Sequence, residues 1–368
     1  MKKLAGLICM NYNLGDFGLL TDNRPVASLP YGGRYRLMDF PLSNLINTGM
    51  TTVGIITPHL YRSILDHVGN GKSWNLNRKS GGLFILPGST YGFDAGRGKI
   101  TVKDIIGNKR FLERADSDYI VIACCDKVFN IDYKEVIKSH IESSASVTLC
   151  YKHIEKDIPK NEYAISLSNN NLVSDIKKLK RVSKNENVYI DTLVINTDLL
   201  LKITEWYKDQ SYQDLLDVIE ENINHIVVNG YEFKGYVKII NNVKDYMDAG
   251  KELLNEEVIE DLFNNRMIYT KIHDAPPVKY DKKAKVENSI IATGSIIKGK
   301  VKNSIIFRDC VVEEGAEIIN SIVMQKSVVN KNVHLENVIL DKYAKIADGV
   351  EIKGTEEKPI IITRNQYS

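Results

Sequence analysis

Asn-Ser-Ile-Ile occurs at residues 288–291 and again at 303–306, Asn-Ser-Ile-Val at 320–323 and Glu-Asn-Val-Ile at 336–339. The asparagines of these marks, Asn288, Asn303, Asn320 and Asn337, stand 15, 17 and 17 residues apart. A period near 17 is too short for a helical hairpin but fits one coil of a hexapeptide β-helix, three short strands per turn. Between the marks, single or paired Ile and Val recur every five or six residues (Ile291, Ile297, Val301, Ile306, Val312, Ile318, Val323, Val329), and Gly294, Gly299, Gly315 and Gly349 mark turns. One coil cannot bury its aliphatic face alone, so coils must stack into a prism around a continuous core. Four marks imply about four coils. A β-sandwich of similar isoleucine content is the competing fold, but it gives no reason for a repeated interval.

Upstream the texture differs. Leu4–Met10, Thr52–Thr57, Tyr119–Cys125, Ser146–Tyr151 and Val188–Asn196 are β-branched or continuously apolar and strand-sized. Helical stretches lie between them. Pro41, Leu42, Leu45 and Ile46, closed by Gly49, place Pro near the start of one helix and Gly past its end. Asp132 is the expected cap of another over Tyr133–Ser144. Strand–helix alternation with apolar strands predicts a mostly parallel sheet covered on both faces. Asp245–Phe263 reads as one or two linking helices and His273–Tyr280 as an extended connector. The chain therefore divides into an α/β domain over 1–255, a linker over 256–283 and a β-helix over 284–368.

Of 368 residues, 49 are Lys or Arg and 47 Asp or Glu, so the net charge is only +2 and nucleic acid is not an expected partner. No apolar run reaches the roughly 18 residues that a membrane span needs, and the amino terminus is too short in apolar residues for a secretory signal. A cytoplasmic, membrane-free location is expected. Cys9, Cys124, Cys125, Cys150 and Cys310 lack metal-site spacing and read as reduced, buried thiols.

The segment Pro30-Tyr31-Gly32-Gly33-Arg34-Tyr35-Arg36-Leu37-Met38-Asp39-Phe40-Pro41-Leu42-Ser43-Asn44 resembles the signature of bacterial glucose-1-phosphate adenylyltransferases, the ADP-glucose pyrophosphorylases of glycogen synthesis. The resemblance runs nearly end to end. It implies a Rossmann-like sugar-nucleotidyltransferase domain followed by a left-handed parallel β-helix, the handedness being a property of the family. Such enzymes hold a nucleoside triphosphate and a sugar phosphate on a glycine-rich turn, basic side chains and carboxylates that bind Mg²⁺.

At those places this chain departs from the family. Asn11, Tyr12 and Leu14 fall where the family has glycines, and Asp16 falls at its arginine. Side chains obstruct close backbone approach to a phosphate, and Asp repels it. Val26 stands at a family lysine. Asp126, in Cys124-Cys125-Asp126-Lys127, matches one metal carboxylate, while Ile239 falls at the other. Asp126 is thus the single candidate metal ligand, with pairing to Lys127 as the plain structural reading. No intact catalytic set is recognisable. Arg24 and Arg36 match family effector positions and, with Arg34, form a candidate site for a phosphorylated metabolite; the bland alternative is three exposed arginines whose removal leaves folding unaffected. Lys99, in Gly96-Arg97-Gly98-Lys99, reads as part of a surface loop.

The pattern resembles the non-catalytic D-type subunit of Gram-positive bacteria. That implies a regulatory chain with no cofactor of its own, assembling with a catalytic glucose-1-phosphate adenylyltransferase subunit that uses Mg²⁺, as a hetero-oligomer and by analogy a tetramer. An active nucleotidyltransferase with a rearranged site is the alternative. An acyltransferase built on the hexapeptide coils is disfavoured, because His334 is the only histidine among them.

Overall fold

A computed structural model describes residues 2–12, 15–89, 99–158, 161–209, 213–364 and 366. In the α/β domain, β1 (Leu4–Cys9), β2 (Thr52–Thr57), β3 (Gly82–Pro87) and β4 (Tyr119–Ala123) run parallel in the order β4-β1-β2-β3. The sheet continues through β5 (Val147–His153), β6 (Glu162–Leu167), β7 (Val173–Leu179), β8 (Asn187–Asn196) and β9 (Val228–Glu232). The long strand β8 runs antiparallel to β4, β5 and β6, while β9 pairs β5 in parallel and β7 forms a hairpin with β6. The sheet is therefore mixed, parallel through its central strands. Those strands are almost continuously apolar because helices cover both faces: Leu42, Leu45, Val136 and Ile137 pack on one, Val102, Phe111, Leu200 and Leu215 on the other.

Of the strands without a sequence signal, β6, β7 and β9 carry polar residues and lie away from the central apolar run, while β3 is an apolar edge strand bounded by Gly82 and Pro87. The helix expected at Pro41 begins earlier, spanning Asp39–Asn47, with Pro41 still in the first turn, where no N–H partner is lost. Asp132 caps its helix by accepting the Lys134 N–H at 3.0 Å. All five cysteines are buried and free.

The β-helix comprises three parallel sheets of five strands each, so it has five coils rather than four. The repeat count fell short because it followed asparagine, and Gly354 takes the fifth corner, 17 residues after Asn337. The Asn-Ser-Ile-Ile motif divides its labour residue by residue. Asn288, Asn303, Asn320 and Asn337 turn the corner at φ between 41° and 52°, a left-handed conformation that Asn tolerates better than most side chains. The serines climb the prism: Ser289 Oγ accepts the Ser304 N–H, Ser304 Oγ the Ser321 N–H and Ser321 Oγ the Val338 N–H, at 3.0–3.1 Å. The paired aliphatics alternate outward and inward, as successive residues of a strand must. Ile306, Val323 and Leu340 fill the coil interior, while Ile305, Ile322 and Ile339 face the α/β domain.

That outward row builds a seam. It packs with Phe307 and Met324 against Leu20, Val26, Leu29, Tyr31, Leu37 and Phe40, and against the linking helix Val243–Glu252. Gly250 of that helix is so close that an added Cβ would lie 2.9 Å from Ile322 Cδ1. Much of the signature segment is spent here. Tyr31 donates to the Ala249 carbonyl at 3.2 Å, and Gly32 and Gly33, both at positive φ, turn the chain back between the short strands Pro30–Tyr31 and Tyr35–Arg36.

Arg24 belongs to the seam too, which corrects its expected exposure. It is 8% exposed; its Nε donates to the Leu20 carbonyl at 2.8 Å, and its guanidinium pairs with Asp341 of the β-helix. Removing one partner of a buried ion pair leaves the other unpaired, at a cost of about 3–5 kcal/mol. Arg24→Ala is therefore expected to lower unfolding stability by about that amount in urea titration, with Arg24→Met/Asp341→Leu losing less than the single variant.

Candidate functional site

The carboxyl ends of the central strands converge on a buried set of charges. Asp126 follows β4 and is 2% exposed. Its carboxylate pairs with the Lys99 ammonium, which also reaches Asp191. Asp191 lies in the middle of β8 at φ 55°, where the β5–β8 ladder shifts register. Lys127, 1% exposed, bridges Asp191 and Glu162, and Asn241 Nδ2 donates to Glu162 Oε1 at 3.0 Å. Burial opposes the charge on both lysines, but the facing carboxylates outweigh it and raise both above the ordinary lysine range. Burial would raise Asp191, yet Lys127 and Lys99 hold it below the usual carboxylate range. Three carboxylates thus share two ammonium groups.

Residues Asn11 and Tyr12 close the set from the β1 side. Tyr12 is buried; its oxygen accepts the Cys125 N–H at 2.8 Å and its hydroxyl lies 3.3 Å from Asp126 Oδ1. Burial, then Asp126, push that phenol well above its usual range, so it stays protonated. Asn11 Nδ2 donates to Asp104 at 3.0 Å and to the Ser89 carbonyl at 2.8 Å. Asp214 straps the segment that carries Lys99: its carboxylate accepts the N–H groups of Lys99, Ile100 and Leu216 at 2.8–3.0 Å. Burial raises Asp214 to about 6 despite those bonds.

The remaining expected positions are dispersed. Asp16 is exposed, accepts the Gly18 N–H at 3.2 Å and takes no part in the network. Val26 is buried in the seam. Ile239 stands opposite Lys127 in a short antiparallel pair, and the Ile240 N–H meets the Asp126 carbonyl at 2.9 Å. Position 239 is thus beside Asp126, but an aliphatic side chain packed on Val182 and Val188 occupies it. Leu14 lies outside the described residues, as do Gly96, Arg97 and Gly98.

This geometry does not fit a divalent cation. Asp126 is engaged by Lys99 rather than Lys127, its expected second carboxylate is Ile239, and no cluster of three or more His, Cys, Asp or Glu suited to a metal occurs among the described residues. Lys99 is correspondingly not a surface-loop residue; its side chain is only 15% exposed.

A second feature lies between the domains. A crevice of about 230 Å³ is lined by Arg34, Arg36, Lys271, His273, Arg308 and Lys326, with Asp309 as its lone carboxylate. Arg34 stacks over the Tyr35 ring at 4.9 Å, and Arg36 donates to the Ser63 carbonyl. Arg34 and Arg36 thus come together, while Arg24 is held by Asp341 behind them.

Residues 19–255 match the nucleotidyl transferase family, and residues 276–359 match the GlmU-like C-terminal hexapeptide family. The chain belongs to the nucleotidyl transferase family. It is 30% identical over 346 residues to the glycogen biosynthesis protein GlgD of Bacillus subtilis, covering 94% of this chain and 91% of that protein. It is 30% identical over 343 residues to a glucose-1-phosphate adenylyltransferase of Bacillus thuringiensis, covering 91% and 90%, and 29% identical to one of Bacillus anthracis. Membership of the glucose-1-phosphate adenylyltransferase family, expected from the signature, is shown.

Asp191 and Glu162 are network members with no motif to mark them, and Lys99 joins them in place of the expected surface loop. Asp191 carried a usable clue, a lone carboxylate inside the apolar run Val188–Asn196. A charge there must find a partner. Lys127→Met keeps the length of the side chain but leaves Asp191 and Glu162 short of a cation. It is expected to destabilise the fold by about 3–5 kcal/mol in denaturant titration, and Lys127→Arg by less.

Proposed function

We propose that this chain is a regulatory, catalytically deficient subunit of glucose-1-phosphate adenylyltransferase in glycogen biosynthesis, acting through an active paralogue that makes ADP-glucose from ATP and glucose 1-phosphate. The observation that carries the reading is the filled site. Tyr12 lies on the Cys125 amide and Asp126, and the Lys99 ammonium bridges Asp126 and Asp191. Nucleotidyl transfer needs cationic stabilisation of charge that develops on phosphate. Here the cations are committed to protein carboxylates. Mg²⁺ would belong to the partner's site and not to this chain.

The scaffold supports the second half of the reading. The five-coil wall is rigid and the seam is fully packed, so the fold persists without its chemistry. The cationic crevice is the place for a phosphorylated metabolite, with Arg34, Arg36, Arg308 and Lys326 converging on it. Guanidinium groups can fork two hydrogen bonds to one phosphate.

The test is turnover and assembly. The purified chain with ATP, glucose 1-phosphate and Mg²⁺ is expected to release pyrophosphate far below about 10 per second, an ordinary enzyme rate. Asp16→Arg is not expected to restore activity, because it neither removes Tyr12 from Asp126 nor supplies a carboxylate at Ile239. Mixed with the catalytic paralogue of its own cell, the chain is expected to co-elute on size exclusion and to change rate or effector response. Ordinary turnover alone would favour the rearranged-site reading; separate elution with unchanged kinetics would defeat the regulatory one.

A further inference from the structure

A groove of about 880 Å³ crosses the amino ends of β1, β2 and β3, at the rim of the sheet opposite Asp126. Its floor is apolar. Phe84, on the edge strand β3, is 39% exposed and lies against Phe111 with ring centroids 5.4 Å apart, and Leu4 and Leu86 complete the floor. One wall is the helix Lys109–Ala115, which presents Arg110 and Arg114 to the groove. Both arginines are exposed, and neither has an ion-pair or hydrogen-bond partner among the described residues. The neighbouring carboxylates are engaged elsewhere. Glu113 lies 3.7 Å from Lys109, which also pairs with Glu205. Asp116 pairs with Lys3, and Asp118 lies 3.5 Å from Lys2 and accepts the Lys3 N–H at 2.6 Å. The two guanidiniums are therefore the free charge of the groove.

Exposed aromatic rings beside unpaired arginines are the side chains that carry most of the energy of protein recognition. The spacing says what they recognise. Arg110 and Arg114 stand one helical turn apart, about 6 Å along the axis. In an extended chain, alternate residues point to the same side about 6.7 Å apart, and adjacent residues point to opposite sides. Two carboxylates at alternate positions thus face both guanidiniums at once, and each guanidinium can fork two hydrogen bonds to one carboxylate. Neighbouring strands lie about 4.8 Å apart, so the span from β1 to β3 is about 10 Å, the length of three extended residues. A mononucleotide gathers its charge at one point, whereas this groove spreads its charge along a helix face.

We propose that this groove docks an extended acidic segment of a partner protein. Two carboxylates at alternate positions pair with Arg110 and Arg114, and a neighbouring apolar side chain rests on Phe84 and Phe111. The surface stands apart from the filled site and from the crevice between the domains, and it does not depend on the regulatory reading.

The probe is a fluorescein-labelled peptide, Gly-Phe-Leu-Asp-Ser-Asp-Gly, titrated with the full chain and read by fluorescence anisotropy at low salt. Saturable binding with a Kd below about 1 mM is expected, weaker at high salt, where exposed pairs are screened. Arg110→Gln and Arg114→Gln should each weaken it about two- to fivefold, and the double variant about tenfold, with thermal unfolding unchanged. Moving the aspartates together, in Gly-Phe-Leu-Ser-Asp-Asp-Gly, should cost as much as losing one arginine. Phe84→Ser should also weaken binding, and Arg34→Gln, in the crevice, should leave it unchanged. No saturable binding, an affinity unmoved by Arg110→Gln and Arg114→Gln, or equal affinity for the two spacings overturns the proposal. ATP binding that the same substitutions abolish, without peptide binding, overturns it in favour of a nucleotide site. A dimer by sedimentation that they dissociate, again without peptide binding, overturns it in favour of a contact between copies.

Discussion

Burying Asp126, Asp191 and Glu162 beside the carboxyl ends of the parallel strands creates a charge that the protein interior cannot leave unbalanced. Desolvating a carboxylate costs several kcal/mol unless cations and hydrogen-bond donors replace the lost water. Lys99 and Lys127 supply the cations, with Asn241 and Tyr12 as further donors. The rest of the domain arranges itself around that requirement. Asp214 fastens the backbone at Lys99, the β8 ladder breaks register where Asp191 turns inward, and Tyr12 seals the β1 end. A nucleotidyl transferase built to bind phosphates would need this charge to be available to ligand. Here both ammonium groups pair with protein carboxylates.

The second organising feature is the seam. Ile305, Ile322 and Ile339 offer a row of aliphatic side chains that a free β-helix would expose, and the signature segment and the linking helix cover it. Arg24 and Asp341 close the polar edge of that contact. The same packing sets Arg34 and Arg36 opposite Arg308 and Lys326, so the cationic crevice is a consequence of how the domains dock. The crevice is lined from both domains at once, by Arg34 and Arg36 on one side and Arg308 and Lys326 on the other.

Much of the fold was legible in sequence because its signals are periodic. Continuous apolar strands announced the centre of the sheet, and the repeated asparagine interval announced the coils. What was missed was aperiodic. Gly354 turns a corner without an asparagine, β6 (Glu-Tyr-Ala-Ile-Ser-Leu) and β7 (Val-Ser-Asp-Ile-Lys-Lys-Leu) lack a clean alternation of polar and apolar residues, and the outward isoleucines look identical to the inward ones. The site was half legible. Tyr12 and Ile239 stood out as side chains where the chemistry wants glycine and carboxylate. Lys99 did not, because its partner Asp126 is 27 residues away and Asp191 is 92. Arg24 gives no local sign of its burial for the same reason: Asp341 lies 317 residues on. Long-range charge pairing leaves no local pattern.

Internal ammonium groups occupy the charge that a metal would otherwise neutralise. Electron paramagnetic resonance of free Mn²⁺, titrated with the purified chain, tests it most directly. The free-ion signal is expected to persist in proportion to added Mn²⁺, unchanged between wild type and Asp126→Asn. Stoichiometric loss of the signal in the wild type, restored by Asp126→Asn, would contradict it.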